Sequence, residues 1–248
     1  MAEPSSTTKC GKNEPFELQL ARGQISWHNE VNVQGYNALH GDQFRAVWEK
    51  SNDTAYVFPA SALAMTFSSS SSETCTMRVF GLDADYKVKT ATVTFSGGTT
   101  GTVTSGTATF FRINAMQITS GTTVGNITAA NSGVVYAQIN AGTGRSQASI
   151  YTVPAGHTFY LTRAQAFTTN NGSQYCTYRV YSQTISGGVT TPLVVLSAPF
   201  TQAYASTRII PRAYVEKTDV QWQLRQSNPA PGSIQLEGIL IKNDAGVA

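Results

Sequence analysis

The sequence predicts an all-β protein. Two tandem antiparallel β-sandwich domains of jelly-roll-like type, related by an internal duplication, follow an extended N-terminal arm. Three observations predict this. First, a block recurs. Tyr56-Val57-Phe58-Pro59-Ala60 followed by Cys75-Thr76-Met77-Arg78-Val79-Phe80 returns as Tyr151-Thr152-Val153-Pro154-Ala155 followed by Cys176-Thr177-Tyr178-Arg179-Val180-Tyr181. Proline to cysteine is 75 − 59 = 16 positions in the first copy and 176 − 154 = 22 in the second, and the difference falls in loops, where insertions are tolerated. Second, apolar and polar residues alternate in many short runs broken by Gly, Pro and Ser turns, spaced by about ten residues. Third, no long stretch carries helical periodicity. The expected boundaries are an arm over 1–21, a first sandwich over 22–121 and a second over 122–248.

The elements follow in order. Residues 1–15 are polar with Pro4, Gly11 and Pro15, and read as an irregular arm. Phe16, Leu18 and Leu20 alternate, which suits a short extended segment at its end. Ile25, Trp27, Asn29, Val31 and Val33 alternate with Ser26, His28, Glu30 and Asn32, the pattern of a half-buried strand. Phe44–Trp48, Thr54–Phe58 and Ala62–Phe67 read as further strands. Pro59 cannot donate to a ladder and belongs at a strand end or bulge. Ser68–Ser72 reads as a loop. Thr76–Leu82 and Val88–Phe95 are β-branched and aromatic, hence strands. Gly97, Gly98 and Gly101 mark punctuation, and Thr107–Ile118 closes the first unit.

The second unit repeats the order. Val134–Ile139 echoes the Phe44 strand and Ala148–Val153 the Thr54 strand. Thr158–Phe167 and Tyr175–Gln183 form its core pair. Pro192–Leu196, Thr207–Val215, Val220–Arg225 and Ile234–Ile241 complete it. Val220, Trp222 and Leu224 share one face, and burying them contributes on the order of 6 kcal/mol before entropy.

Composition narrows the partners. Charged residues make up 12% of the 248-residue chain, and the net charge is +3. That is sparse for a soluble domain, and Ser, Thr, Asn, Gln and Gly supply the polarity instead. Basic residues do not cluster, so nucleic acid is not an expected partner. No apolar run is long enough for a membrane helix. The N-terminus has neither the apolar core nor the basic start of a signal peptide, so cytosolic synthesis is expected. Cys75 and Cys176 occupy equivalent strand positions and are expected to be reduced thiols in separate cores, with Cys10 in the arm.

Candidate chemistry is thin. His28 lies on the polar face of a strand, His40 beside the Gly41-Asp42 turn and His157 after a Pro-Ala-Gly turn, and all three read as solvated rather than metal-binding. Asp83 and Asp85 flank one residue, as calcium loops do, but Lys87 follows and a plain turn is the better reading. No nucleophile elbow, phosphate loop or facing carboxylate pair is found. No catalytic residue, metal or cofactor is expected. Loop and strand-end tyrosines, among them Tyr36, Tyr86, Tyr175, Tyr204 and Tyr214, suit either stacking on sugar rings, anchoring an interface or ordinary packing.

The segment Gly23-Gln24-Ile25-Ser26-Trp27-His28-Asn29-Glu30-Val31-Asn32-Val33-Gln34-Gly35-Tyr36-Asn37-Ala38-Leu39-His40-Gly41 resembles one in structural proteins of tailed bacteriophages from aquatic environments. So do Tyr151-Thr152-Val153-Pro154-Ala155-Gly156-His157-Thr158 and Leu161-Thr162-Arg163. The similarity spans about residues 22–243. It implies a non-enzymatic virion protein, on the capsid as decoration or head fibre, or else in the tail or baseplate. Its implied partners are further copies of itself and other virion proteins such as the major capsid or tail protein, and the expected copy number, a trimer, is by analogy with the fold class. Expected interface residues are Phe16, Leu18 and Leu20 of the arm with Tyr36, Tyr204 and Tyr214. The competing expectation is a carbohydrate-binding module that recognises host surface glycans, its site formed by loop tyrosines and the polar loops 68–72 and 170–174.

Overall fold

The computed structural model describes residues 14–50, 54–169, 175–186 and 189–243. The chain is all-β, built of antiparallel open sheets. It begins with α1 (Phe16–Ala21), β1 (His28–His40) and β2 (Arg45–Ala46). There follow β3 (Leu63–Ala64), β4 (Thr66–Leu82), β5 (Val88–Ser105), β6 (Thr109–Phe110), β7 (Arg112–Gly121), β8 (Ile127–Asn131) and β9 (Val134–Ile139). The last group is β10 (Ile150–Thr152), β11 (His157–Thr168), β12 (Cys176–Ser186), β13 (Val189–Phe200), β14 (Ala203–Tyr214), β15 (Thr218–Gln226) and β16 (Ala230–Lys242). No described helix is long and apolar enough to cross a membrane.

The strands sort into two lobes, but not by the expected partition. One lobe pairs β1-β16-β11-β14 in one sheet and β10-β15-β12-β13 in another, with β2 added to β15 beside β10. Its core joins Phe159, Leu161, Tyr178, Trp222, Leu224 and Ile234 to Val33 and Val47 from the start of the chain. The other lobe pairs β5-β4-β8-β9, with β7 on the second half of β4, and is wholly inserted between β2 and β10. Phe67, Met77, Val93, Phe95, Phe110, Met116 and Ile127 fill it. The expected boundary at 121/122 therefore gives way: residues 127–139 belong with the first unit, and 28–46 with the second. The cause is the ladder from His28↔Ile241 to Gly35↔Ile234, which seats β1 along β16 and buries Val33. Alternation reports which face is buried and not which strand lies alongside.

The two recurring cysteine blocks form inner strands of their sheets, Cys75–Phe80 in β4 and Cys176–Tyr181 in β12. Both cysteines are buried. The blocks' upstream halves differ. Ile150–Thr152 pairs with β15, whereas Thr54–Phe58, expected as a strand, has no ladder and packs Tyr56 edge-on against Trp48.

Four local expectations change. The segment at Phe16, Leu18 and Leu20 is helical, not extended. Its Glu, Leu, Gln and Ala are good helix formers, Pro15 precedes the first turn, and Arg22 reaches back to Glu14 at 2.8 and 2.9 Å. The rest of the expected arm, residues 1–13, lies outside the described residues. Ser68–Ser72 is strand, not loop: β4 runs through it with a register shift before Glu73. Gly97, Gly98 and Gly101 lie inside β5. At Gly101 a Cβ would stand 2.6 Å from Val93 Cγ1 and 2.8 Å from Phe95 Cζ, so the glycine admits core side chains against the backbone. Finally, His40 is not solvated. It closes β1 fully buried, its Nε2 bonded to the Leu224 carbonyl.

Candidate functional site: lobe junction, cleft and sheet edge

The lobes meet around a buried ion pair. Arg112 opens β7 in the inserted lobe and Asp219 lies near the start of β15. Arg112 Nε donates to Asp219 Oδ1 at 2.8 Å and Nη2 to Oδ2 at 2.7 Å, with 4% and 2% of the two side chains exposed. Nη1 donates to the carbonyls of Pro59 at 2.8 Å and Phe111 at 2.9 Å, and Thr152 Oγ1 donates to Asp219 at 2.6 Å. The guanidinium also lies 3.9 Å from the Phe111 ring centre. Pro59 thus serves by its carbonyl and not as a strand end. Beside this pair, the Asn114 amide donates to the Thr152 carbonyl and accepts from the Thr152 N–H, both at 3.0 Å. Ser149, on the returning chain, bonds Val47 on one side and Trp222 on the other. Gly35 leaves room for that crossing, since a Cβ there would stand 2.4 Å from the Val47 carbonyl.

Next to the junction lies a cleft of about 530 Å³, walled by β1 on one side and by Phe80, Gly81, Leu82, Asn114, Ala115 and Gln117 on the other. Its polar lining includes Glu30, Asn32, Asn114, Gln117, Arg145 and His157. Arg145 Nη2 donates to the Asn32 carbonyl at 2.6 Å, and His157 Nδ1 lies 2.9 Å from the Ala155 carbonyl. Glu30 is the one carboxylate among the described residues of the lining, so no acid pair faces across it. Among the described residues no cluster of His, Cys, Asp and Glu is placed to hold a metal ion. Asp83 closes a turn, accepting the N–H groups of Asp85 and Lys87 at 2.9 Å each.

Two glutamates carry perturbed carboxyls. Burial pushes Glu49 up from 4.5 to about 7, against opposing hydrogen bonds from Gln147, Asn140 and Thr143. It borders a small recess that also contains Tyr36. For Glu73 burial likewise pushes upward, but N–H donors from Val124 and Gly125 and the Ser69 hydroxyl outweigh it and hold the carboxyl below its ordinary value. Ser69 of the serine run is thus a partner of this buried carboxylate, and the run is strand where a loop was expected. The other expected glycan loop, 170–174, lies outside the described residues.

The third feature is a sheet edge. β13 and β14 are consecutive and each ends a sheet, so their outer backbone groups have no ladder partner among the described strands. They expose Leu193, Val194, Ile209 and Ile210. The β11–β14 ladder breaks between Leu161↔Arg212 and Arg163↔Thr207, and residues 208–211 bulge outward.

The expected interface residues separate into groups. Phe16 and Leu18 are exposed on α1 and Leu20 is half-buried. Tyr36 is exposed on β1, away from them. Tyr204 and Tyr214 lie near opposite ends of β14, where Tyr204 stacks on Tyr178 at 4.9 Å and Tyr214 is buried against Phe159 at 6.1 Å. Arg112, Asp219, Arg208 and Arg212 were not singled out by sequence. A signal existed for the last two: Arg208-Ile209-Ile210-Pro211-Arg212 breaks the two-residue alternation at a proline, as a bulge does.

Comparison with known proteins returns nothing similar: no family model, no curated protein and no solved structure matches the chain.

Proposed function

We propose that this chain is a non-enzymatic structural subunit of a tailed-bacteriophage virion, assembling through protein–protein contacts. Capsid decoration or a head-fibre position is placed ahead of a tail or baseplate position. The motif resemblance supports the virion assignment. The observation that carries the assembly role is the β13–β14 edge, where two strands with no outer ladder partner among the described strands present exposed Leu193, Val194, Ile209 and Ile210. Exposed apolar side chains grouped on such an edge favour recruitment of another chain, even where a bulge, a proline and two arginines interrupt it. Immunogold labelling of purified particles tests the reading. Regular label on head or tail is expected; unlabelled particles, with the protein confined to the soluble lysate, would refute it.

A second reading is a glycan-binding receptor module. The cleft favours it, because Asn32, Asn114, Gln117 and Arg145 give it a polar lining with little net charge, as neutral sugars require. A glycan array separates the two: saturable binding abolished by Gln117→Ala supports it, and a blank array at high protein concentration removes it.

A further inference from the structure

The two ends of one sheet carry complementary unpaired groups. At β14, Arg208 and Arg212 make no ion pair among the described residues, and the Nε of each is shielded from solvent without a hydrogen-bond partner. Beside them the hydroxyls of Tyr178 and Tyr214, with 0% and 4% of each residue exposed, also lack partners. The groups are close: Arg212 lies 5.9 Å from the Tyr214 ring, and the Arg208 charge is felt by both tyrosines. Two half-buried guanidinium groups without an ion pair among the described residues leave positive charge at this edge, which suits an oxyanion. Directly outside, Ile209 and Ile210 project with 101% and 84% exposure. The surface therefore fits a carboxylate flanked by apolar side chains.

The chain contains such a segment. Among the described acids, Glu14, Asp42, Asp85, Asp219 and Glu237 are ion-paired, Asp83, Glu216, Glu49 and Glu73 accept hydrogen bonds, and Glu30 lies in the cleft. Glu17 remains. It stands in α1 between Phe16 and Leu18, exposed at 45% and 46%, and no residue of α1 is buried. A six-residue helix with no buried face has little to hold it in isolation.

The helix packs beside β1, through Phe16 against His28, and β14 is the opposite edge of the same sheet. The two edges are three strand spacings apart, about 14 Å. Copy-to-copy pairing satisfies both without bending the sheet. We propose that α1 of one copy docks on the β14 bulge of the next, Glu17 received by Arg208 and Arg212, Phe16 and Leu18 packed on Ile209 and Ile210. This rests on the assembly reading above and deepens it. Because the two patches differ, the contact is head-to-tail and generates a ring when the rotation closes, a filament when it does not.

Sedimentation velocity of the full chain over a concentration series tests it. Wild type is expected to associate, more weakly as salt rises. Glu17→Arg places like charges together and is expected to raise the dissociation constant roughly tenfold or more. Arg208→Glu with Arg212→Glu should do the same, and combining all three changes should restore association. Ile209→Lys with Ile210→Lys, fully exposed changes that leave the core intact, provides an independent arm if the arginine variants fold poorly. A monomeric wild type, or Glu17→Arg and the isoleucine variant associating as wild type does, overturns the contact. Labelled particles together with an insensitive Glu17→Arg would sink this contact and leave the virion reading standing.

Discussion

Arg112 and Asp219, 107 residues apart in the chain, form a two-point ion pair buried between the lobes. Four of the five guanidinium N–H groups are used, and Asp219 accepts three bonds in all. Replacing either partner alone strands a buried charge, which costs about 3–5 kcal/mol. Asp219→Ala and Arg112→Met are each expected to lower the urea midpoint strongly. The double replacement should cost less than the sum of the two. Equal, small effects from the singles would show that the junction does not depend on the pair. Denaturant titration of the four proteins gives the answer.

The two buried glutamates should impose opposite pH slopes. Glu49 is raised in the folded state, so its contribution is fully present below 4.5 and is lost as pH rises through about 7. The loss by about pH 8 is on the order of 3 kcal/mol. Glu73 is held low, so its contribution is present above 4.5 and is lost as pH falls further. Glu49→Gln should flatten the decline between pH 5 and pH 8, and Glu73→Gln should lower stability near neutrality by about 1–3 kcal/mol. Urea midpoints across that range check both, and an unchanged slope in Glu49→Gln contradicts the first.

Cys75 and Cys176 belong to different sheets and are both closed to solvent. Burial also pushes the Cys75 thiol upward, with Glu73 adding to it. In a Cys10→Ser background, a thiol reagent should react slowly with native protein and with both thiols in urea. Rapid labelling of the native state would mean that one of the two cores opens readily.

The sequence foretold elements better than partners. The alternation of Val220, Trp222 and Leu224 predicted β15, and all three are buried in it. The same kind of pattern at Val31 and Val33 could not say that β1 lies on β16, some 200 residues later, because period two carries no address. Five consecutive serines suggested a loop by composition. They form strand because Ser68 and Ser69 pair with Thr128 and Ile127 of β8, and the Ser69 hydroxyl is turned to Glu73. Arg112 and Asp219 look like any surface charges until the lobes bring them together. Tyr204 and Tyr214 were picked as surface anchors, but one is stacked on Tyr178 and the other is buried, because strand position alone does not say which face a side chain takes.

The role proposed for this protein is to occupy a place in a virion particle. Quantitative mass spectrometry of gradient-purified virions after a high-salt wash tests it most directly. The expected result is retention at a fixed number of copies relative to the major capsid protein, with Ile209→Lys plus Ile210→Lys depleted. Absence from washed particles, with all of the protein recovered as free monomer, would contradict it.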